Sequence, residues 1–586
     1  MGRRGPLYAN CPYCRVHLDV LRCPVGVPTM EVNVNEPEPL LRGYLSGAMS
    51  RRAFFAKALA LGISAPSAAA LLAACGTSSG PASAPAPTRA RTADLQAIIR
   101  MAAGEDQWPV QGTGAKSTTF AYPLNVNVYE PLIYLASDFR LQPGLALSWE
   151  LIPPSTWRFH LRQGVKFHDG SAMTADDVVW TWGKRQHLGK TLGTVSSTLG
   201  PNSVRKVDDF TVDFVPVIPN LRLPEQIVHP EGAIVPNGKN FDSSPPVGSG
   251  PFQVVSYTPN QSVTLNRFEQ YWGTKPSAHQ MAIRFLSDDQ TRVQALQSGQ
   301  VDFVLDIPPQ SVATVKNTRG FHVVSAKAGE NQLIYIDKKG NKPHDLGAEI
   351  AVRQAVSMSI DRNAYVSTAF DGNADPGRLM APAAILGPYA NLVAPVPHDP
   401  QKAGQVLDAA GWKMGANGIR TRGGRTLSLD LIGWAAVTPL SFQFLQSEMK
   451  QVGIQANIMA AADTPTYNNY YKSGAFDLDL EIPNQNDGNP AFLPVLRMYS
   501  KNPGTADFAP GTAFDQLAVT ALDATTVGAV QQASAQMQQM LINQDYIVVP
   551  VAGVRRLYAM ISQVNLSDPH PSQTNQLWTS LVKYTT

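Results

Sequence analysis

All four cysteines, Cys11, Cys14, Cys23 and Cys75, lie in the first 75 residues of a 586-residue chain. Everything after Cys75 therefore folds without a disulfide or a thiolate metal site, and buried apolar surface has to hold it together. The length allows this, since about 150 residues per domain suggests three to four domains, each able to enclose a core. Charged residues make up 16% of the chain and hydrophobic ones 44%, where an average soluble domain carries roughly 25% charge, which excludes a charged disordered chain and a coiled coil. A mean hydropathy of −0.13 with a single short apolar run excludes a multispanning membrane protein. The net charge of +3, from 48 basic and 45 acidic residues, is too balanced for bulk nucleic-acid binding, so no nucleic-acid partner is expected.

The cysteines also mark how the N-terminus is organised. Cys11-Pro12-Tyr13-Cys14 with Cys23 has the look of a zinc or redox motif, but it precedes an export signal. Residues 1–49 therefore read as a leader or an over-called start, with Met1, Met30 and Met49 as alternative initiators. Residues 50–75 form the signal. Arg51 and Arg52 precede Phe54 and Phe55, an apolar stretch follows, and Leu72-Ala73-Ala74-Cys75 closes it. The paired arginines resemble a twin-arginine export signal, and the closing tetrapeptide resembles a bacterial lipobox, in which the thiol of Cys75 is acylated. The expected location is extracytoplasmic, in the cell envelope or periplasm, lipid-anchored to the outer face of the cytoplasmic membrane. Residues 76–93 are a Pro/Ala/Ser-rich tether. The tether contains Gly76-Thr77-Ser78-Ser79-Gly80, which fits a nucleophile elbow in spelling only, because an elbow needs a strand before it and a helix after it.

From Leu95 onward strand-like and helix-like segments alternate. Trp157, Phe159 and Leu161 alternate with Arg158, His160 and Arg162, a half-buried strand. Thr174 with Asp177 spells a capping box, and Val178, Val179 and Trp182 supply that helix's buried face. Helices are expected over Asp288–Ser298, Ala351–Arg362, Asp399–Ala410 and Pro439–Val452. Strands are expected over Val301–Leu305, Thr426–Leu431 and Ile454–Ile458. Strand–helix–strand order in the last 250 residues argues for an α/β fold with mixed sheets.

These segments carry a family resemblance. Tyr129-Glu130-Pro131-Leu132, Phe159 to Gly170, Thr174 to Val179, Val247-Gly248-Ser249-Gly250-Pro251-Phe252, Leu265 to Trp272, Ile360-Asp361-Arg362, His398-Asp399-Pro400 and Ala410-Gly411-Trp412 occur in one order. From about residue 95 to the end the chain resembles the family 5 extracytoplasmic solute-binding proteins, the peptide, nickel and opine class serving ABC importers. The resemblance implies a two-lobed α/β fold of the periplasmic-binding-protein kind (type II, the large cluster C form) with an extra subdomain on lobe I. Lobe I would be discontinuous, over 94–134, 223–328 and 551–586. The inserted subdomain would cover 135–222 and lobe II 329–550. Trp149, Arg162, Gly170 and Asp177 would hold the fold rather than touch ligand.

It further implies a monomeric, non-catalytic binder that meets the ABC permease subunits and needs no cofactor or metal; no compact His/carboxylate motif or P-loop occurs. In the resemblance's peptide binders an aspartate of the second lobe pairs with the ligand's α-ammonium, since a buried cation needs a fixed anion. The matching position here is Asn486, followed by Asp487, and positions filled by Trp and Arg in oligopeptide binders read Pro483, Thr464, Tyr471 and Leu480. The expected ligand contacts are Tyr335, Trp434, Tyr467, Tyr471, Asn484, Asn486 and Asp487, a set suited to stacking and amide hydrogen bonding. A peptide or peptide-like solute is the first reading. An oligosaccharide or other solute, or a chaperone or sensor role on the same fold, is the alternative.

Overall fold

The computed structural model describes residues 98–104, 121–184, 199–217, 220–240, 245–338, 345–434, 439–483, 489–500, 511–571 and 577–583, apart from Pro201, Pro230 and Glu231. All of them belong to one compact unit, Arg91–Thr586. The N-terminal leader, the signal, Cys75 and the tether lie outside the described residues.

An 11-stranded sheet forms the frame. Its strands are β1 (Ile98–Ala103), β2 (Phe252–Thr258), β3 (Ser262–Arg267), β4 (Gln280–Phe285), β5 (Phe303–Val304), β6 (Phe321–Ile336), β7 (Ala374–Pro376), β8 (Ser428–Trp434), β9 (Gln455–Ala461), β10 (Leu478–Glu481) and β11 (Val548–Ile561). They lie in the order β9-β8-β10-β6-β11-β5-β1-β4-β3-β2, with β7 added beside β11. The long strands β6 and β11 sit in the middle and pair antiparallel from Phe321 opposite Ile561 to Tyr335 opposite Val548. They are shared by two hydrophobic bodies. In the first, side chains alternate between two faces of the sheet, as period-2 geometry requires. Met101, Phe303 and Tyr558 enter one cluster, while Ala102, Val304 and Leu557 enter another with Val293 and Leu296 of the helix Asp289–Gln297. In the second body Leu333, Leu431 and Leu478 pack with Val352, Leu445 and Met537 from the helices around them.

A separate antiparallel four-stranded sheet, Ala146–Ile152, Thr156–Leu161, Val204–Asp208 and Thr211–Phe214, carries its own core. That core runs past residue 222, drawing in Leu223, Ile227, Ile234 and Val247, and also takes Ile385 from the second body. No described helix is long and apolar enough to cross a membrane.

Several element boundaries differ from the sequence expectation, and the strands expected over 426–431 and 454–458 run Ser428–Trp434 and Gln455–Ala461. The helix expected over 351–362 is two helices, Ile350–Ser359 and Arg362–Phe370. Asp361 caps the second, accepting from the amides of Asn363 (2.9 Å) and Ala364 (3.0 Å). The strand expected over 301–305 shrinks to Phe303–Val304, because the Val301 amide is spent on Ala295 O at the end of the preceding helix.

Candidate functional site

The parallel strands aim at the crossover from both sides. β1, β4 and β5 run parallel to one another, and β5 ends at Val304 opposite Ala559, pointing toward the middle of β11. In the second body β8, β9 and β10 are parallel, and β10 ends at Glu481 opposite Leu333 of β6. Ligands of open α/β sheets bind outside the carboxyl ends of the strands. Here two such sets of ends face a floor made by the middle of β6 and β11.

That floor is polar and buried. Glu330, Asn331 and Gln332 of β6 are 1%, 9% and 1% exposed. Gln332 accepts from Tyr365 OH (2.7 Å), and the Asn331 amide donates to Met380 O (3.0 Å). Arg556 of β11 donates through Nη1 to Asp306 (3.0 Å) and through Nη2 to Glu330. Burial pushes the Glu330 carboxyl up, with Arg556 pulling the other way. Burial disfavours the charge on Arg556, but Glu330 and Asp306 more than offset it and hold the guanidinium above its usual range.

The second body's wall is aromatic and acidic. Trp434, at the carboxyl end of β8, stacks on Tyr467 (4.7 Å between centroids, 20°). Tyr467 faces Tyr471 (6.3 Å), and Tyr471 faces Phe476 (5.7 Å). Tyr467 and Tyr471 are presented by the helix Thr464–Ser473, whose N-terminus is fixed by Asp463 accepting from the Thr466 amide (2.8 Å). The Tyr467 hydroxyl donates to Asp479 (2.8 Å) and stands 3.4 Å from Glu481. Both acids are buried on β10, and Tyr335 of β6 lies directly opposite Asp479.

The structure thus brings Tyr335, Trp434, Tyr467 and Tyr471 onto one face of the second body, Trp434 and Tyr471 half-buried and the other two buried. Asn484, Asn486 and Asp487 lie outside the described residues. Asp479 and Glu481 were not anticipated. Their alternation with Leu478 and Leu480 reads as a solvent face in sequence, and only the helix packed over it buries them. Among the described residues no cluster of three or more His, Cys, Asp or Glu side chains is arranged to hold a metal ion.

The motifs of the sequence analysis meet elsewhere, away from this wall. Glu130 is completely buried and accepts from Tyr134 OH (2.9 Å), Tyr271 OH (2.9 Å), Trp272 Nε1 (2.8 Å) and Ser249 OH (2.8 Å). Arg162 lies over the Trp272 ring at 3.9 Å. Asp177 accepts from the amides of Thr174 (2.7 Å) and Asn237 (2.8 Å). Four distant sequence motifs therefore close on one buried carboxylate and its surroundings, which fastens the inserted sheet to the first body.

A family model described as bacterial extracellular solute-binding proteins, family 5 Middle, matches residues 140–505. Protein XP55 of Streptomyces lividans is 30% identical over 317 residues, covering 52% of this chain and 56% of its own. The nickel-binding periplasmic protein of Escherichia coli K12 is 27% identical over 363 residues, covering 58% of this chain and 67% of its own. The dipeptide-binding protein of the same organism is 27% identical over 353 residues, covering 54% and 63%. The chain thus spans 56–67% of the length of these three relatives. Among solved structures, NikA from Brucella suis in complex with Fe(III)-EDTA aligns with a TM-score of 0.74 at 21% identity, covering 83% of this chain and 99% of NikA. AppA from Bacillus subtilis with a nonapeptide gives 0.67 at 19%, covering 83% and 98%. The α/β fold is that of the cluster C periplasmic binding proteins. With its family model covering more than half of the sequence, the chain belongs to the family 5 bacterial extracellular solute-binding proteins.

Proposed function

We propose that the protein is a membrane-anchored solute receptor that delivers a peptide or peptide-like ligand to an ABC importer. Ligand binds between the two bodies, the cleft closes over it, and the closed form is what the permease subunits recognise. The observation that carries this reading is the convergence of both sets of strand ends on a floor shared by β6 and β11, in a chain of this family. Relatives named for dipeptides and nickel, and a neighbour holding a nonapeptide, give the range of solutes to try. Export by the twin-arginine route and acylation at Cys75 would place the receptor on the outer face of the membrane, consistent with its sequence signal.

Within this reading Trp434, Tyr467, Tyr471, Tyr335, Asn484, Asn486 and Asp487 shape the second-lobe wall. Asn486 stands where peptide binders place a carboxylate, which favours a ligand without a free ammonium at that point, unless Asp487 replaces the charge. A second reading, an oligosaccharide, is favoured by the Trp434–Tyr467 stack, since an aromatic face suits a sugar ring. Mass spectrometry of small molecules released from the purified chain, without refolding, tests both. A melting panel of free peptides, N-acetylated peptides, oligosaccharides and a nickel–histidine chelate runs beside it. Ligand at 100 times its Kd adds about 2.7 kcal/mol to stability. Blocked peptides that co-purify and raise the melting temperature support the first reading, and sugars alone would replace it with the second. A shift with none of these solutes, and nothing released, would sink both.

A further inference from the structure

The middle of the β6–β11 ladder is irregular in a way that bears on how the two bodies move. Ser325 pairs with Leu557 and Ala328 with Arg555, so β6 holds one extra residue there. Ala328 and Glu330 then pair with Arg555 and Val554, which gives β6 another. Between Gln332–Ala552 and Leu333–Pro550 the extra residue is on β11. Each bulge leaves a residue unpaired and bends the strand locally. Three within nine residues of β6 make this the stretch where the connection bends at least cost.

Across it lies the Asp306–Arg556–Glu330 group. Asp306 follows Leu305, part of the first body's core, and holds Arg556 to that body. Glu330 precedes Asn331 and Gln332, which are tied to Met380 and Tyr365 of the second body. The Arg556–Glu330 contact therefore straddles the boundary between the bodies.

That contact is half of a fork. Nε and Nη2 of a guanidinium share one edge, which matches the two oxygens of a carboxylate. Arg158 uses both on Asp213 (2.8 and 2.8 Å), and Arg100 uses both on Asp302 (3.1 and 2.6 Å). Arg556 uses only Nη2. Its Nε and the Glu330 Oε1 are both buried and both without a hydrogen-bond partner. So is the hydroxyl of Tyr558, two residues along β11 on the same face. A buried polar atom left unpaired is costly, so these atoms favour any movement that pairs them.

We propose that the lobe angle is set by this pair: bending at the bulges turns Glu330 so that Oε1 meets Arg556 Nε, and the completed fork stabilises a second lobe angle besides the one seen here. Arg556 and Glu330 act as positioning residues on the closure equilibrium, whichever solute is bound.

The test needs no ligand, so its outcome is separate from that of the transport reading. With the four native cysteines changed to serine in the full chain, the variants S256C and T520C place one spin label on an exposed site of each body. Electron–electron distances then report the lobe angles directly. The parent chain should give two distance populations. E330Q and R556K should each lower the second relative to the first by on the order of tenfold, the scale of one charge-assisted hydrogen bond. D375N, which loosens the neighbouring Arg555–Asp375 pair, should leave the ratio unchanged. Thermal melts run in parallel identify any variant that fails to fold. A folded R556K with the parent's ratio would mean that charge alone matters and would overturn the fork. A single population in the parent, or a ratio unmoved by both variants, would overturn the proposal entirely.

Discussion

His168 ties the stability of this fold to acid. Its Nδ1 accepts from the Gly248 amide (3.2 Å) while Nε2 donates to Gly250 O (3.0 Å), an arrangement that needs the neutral ring. Burial lowers its pKa from 6.5 to about 4. Between those values the unfolded chain binds the proton and the folded one does not. The stability is thus complete above pH 6.5 and is lost as pH falls through about 4, a difference on the order of 3 kcal/mol. Urea unfolding at pH 7 and pH 4 should show this loss in the parent and a smaller one in His168→Asn, which does not titrate; equal losses would count against it. Glu130 is the corresponding anchor for the inserted sheet. Glu130→Ala leaves the buried Ser249 hydroxyl and three half-buried donors, from Tyr134, Tyr271 and Trp272, without their acceptor and should cost about 3 kcal/mol, read as a lowered urea midpoint. Sequence motifs pointed to Glu130, Tyr271 and Trp272 separately. That they meet at one carboxylate is a fact of three dimensions.

At the scale of elements, the sheet's carboxyl-end wall and its crossover behave differently. Tyr467 was anticipated as an aromatic of the ligand wall, but the helix Thr464–Ser473 that presents it was not. Its partners were not anticipated either, because Asp479 and Glu481 alternate with leucines as an exposed edge would, and burial comes from the helix Thr464–Ser473 just before them in the chain.

 Removing the shared donor with Tyr467→Phe should cost about 1–3 kcal/mol and leave the aromatic stack in place, checked by urea unfolding with near-UV circular dichroism; an unchanged midpoint would show that the hydroxyl contributes nothing. At the crossover the backbone itself is crowded. A Cβ on Gly329 would come within 2.6 Å of Pro571, its backbone included, so only glycine lets the C-terminal segment lie against β6 there. Gly329→Ala should therefore destabilise the chain by about 1–3 kcal/mol. Hydrogen exchange should show the extra opening near residues 568–571, and protection there equal to the parent's would contradict the close approach. Helix starts at Asp288 and Asp399 could be anticipated because a cap is a local hydrogen bond, whereas the new start capped by Asp361 was missed inside one continuous helical pattern. The end of the helix at Ser359 and the shortening of β5 were harder to see, since each depends on where a neighbouring backbone amide is spent.

For the whole molecule, the sequence signal and the folded unit make separate predictions. If Cys75 carries the anchor, Cys75→Ser should move the protein from the membrane fraction to the soluble envelope fraction and abolish labelling by a radioactive fatty acid, while the melting temperature of the folded unit stays the same. Persistent labelling would place the lipid on another residue. The sequence by itself determined the family, the α/β class and the order of the elements. Strand alternation, caps and punctuating glycines act over a few residues, and the motifs keep their order along the chain. Only the tertiary structure decided which side chains share a site. Glu330 meets Arg556 and Tyr467 meets Asp479 because strands far apart in sequence become neighbours in one sheet. It also decided which polar residues are buried. A carboxylate's surroundings depend on the element packed over it, and no local pattern in the sequence records that.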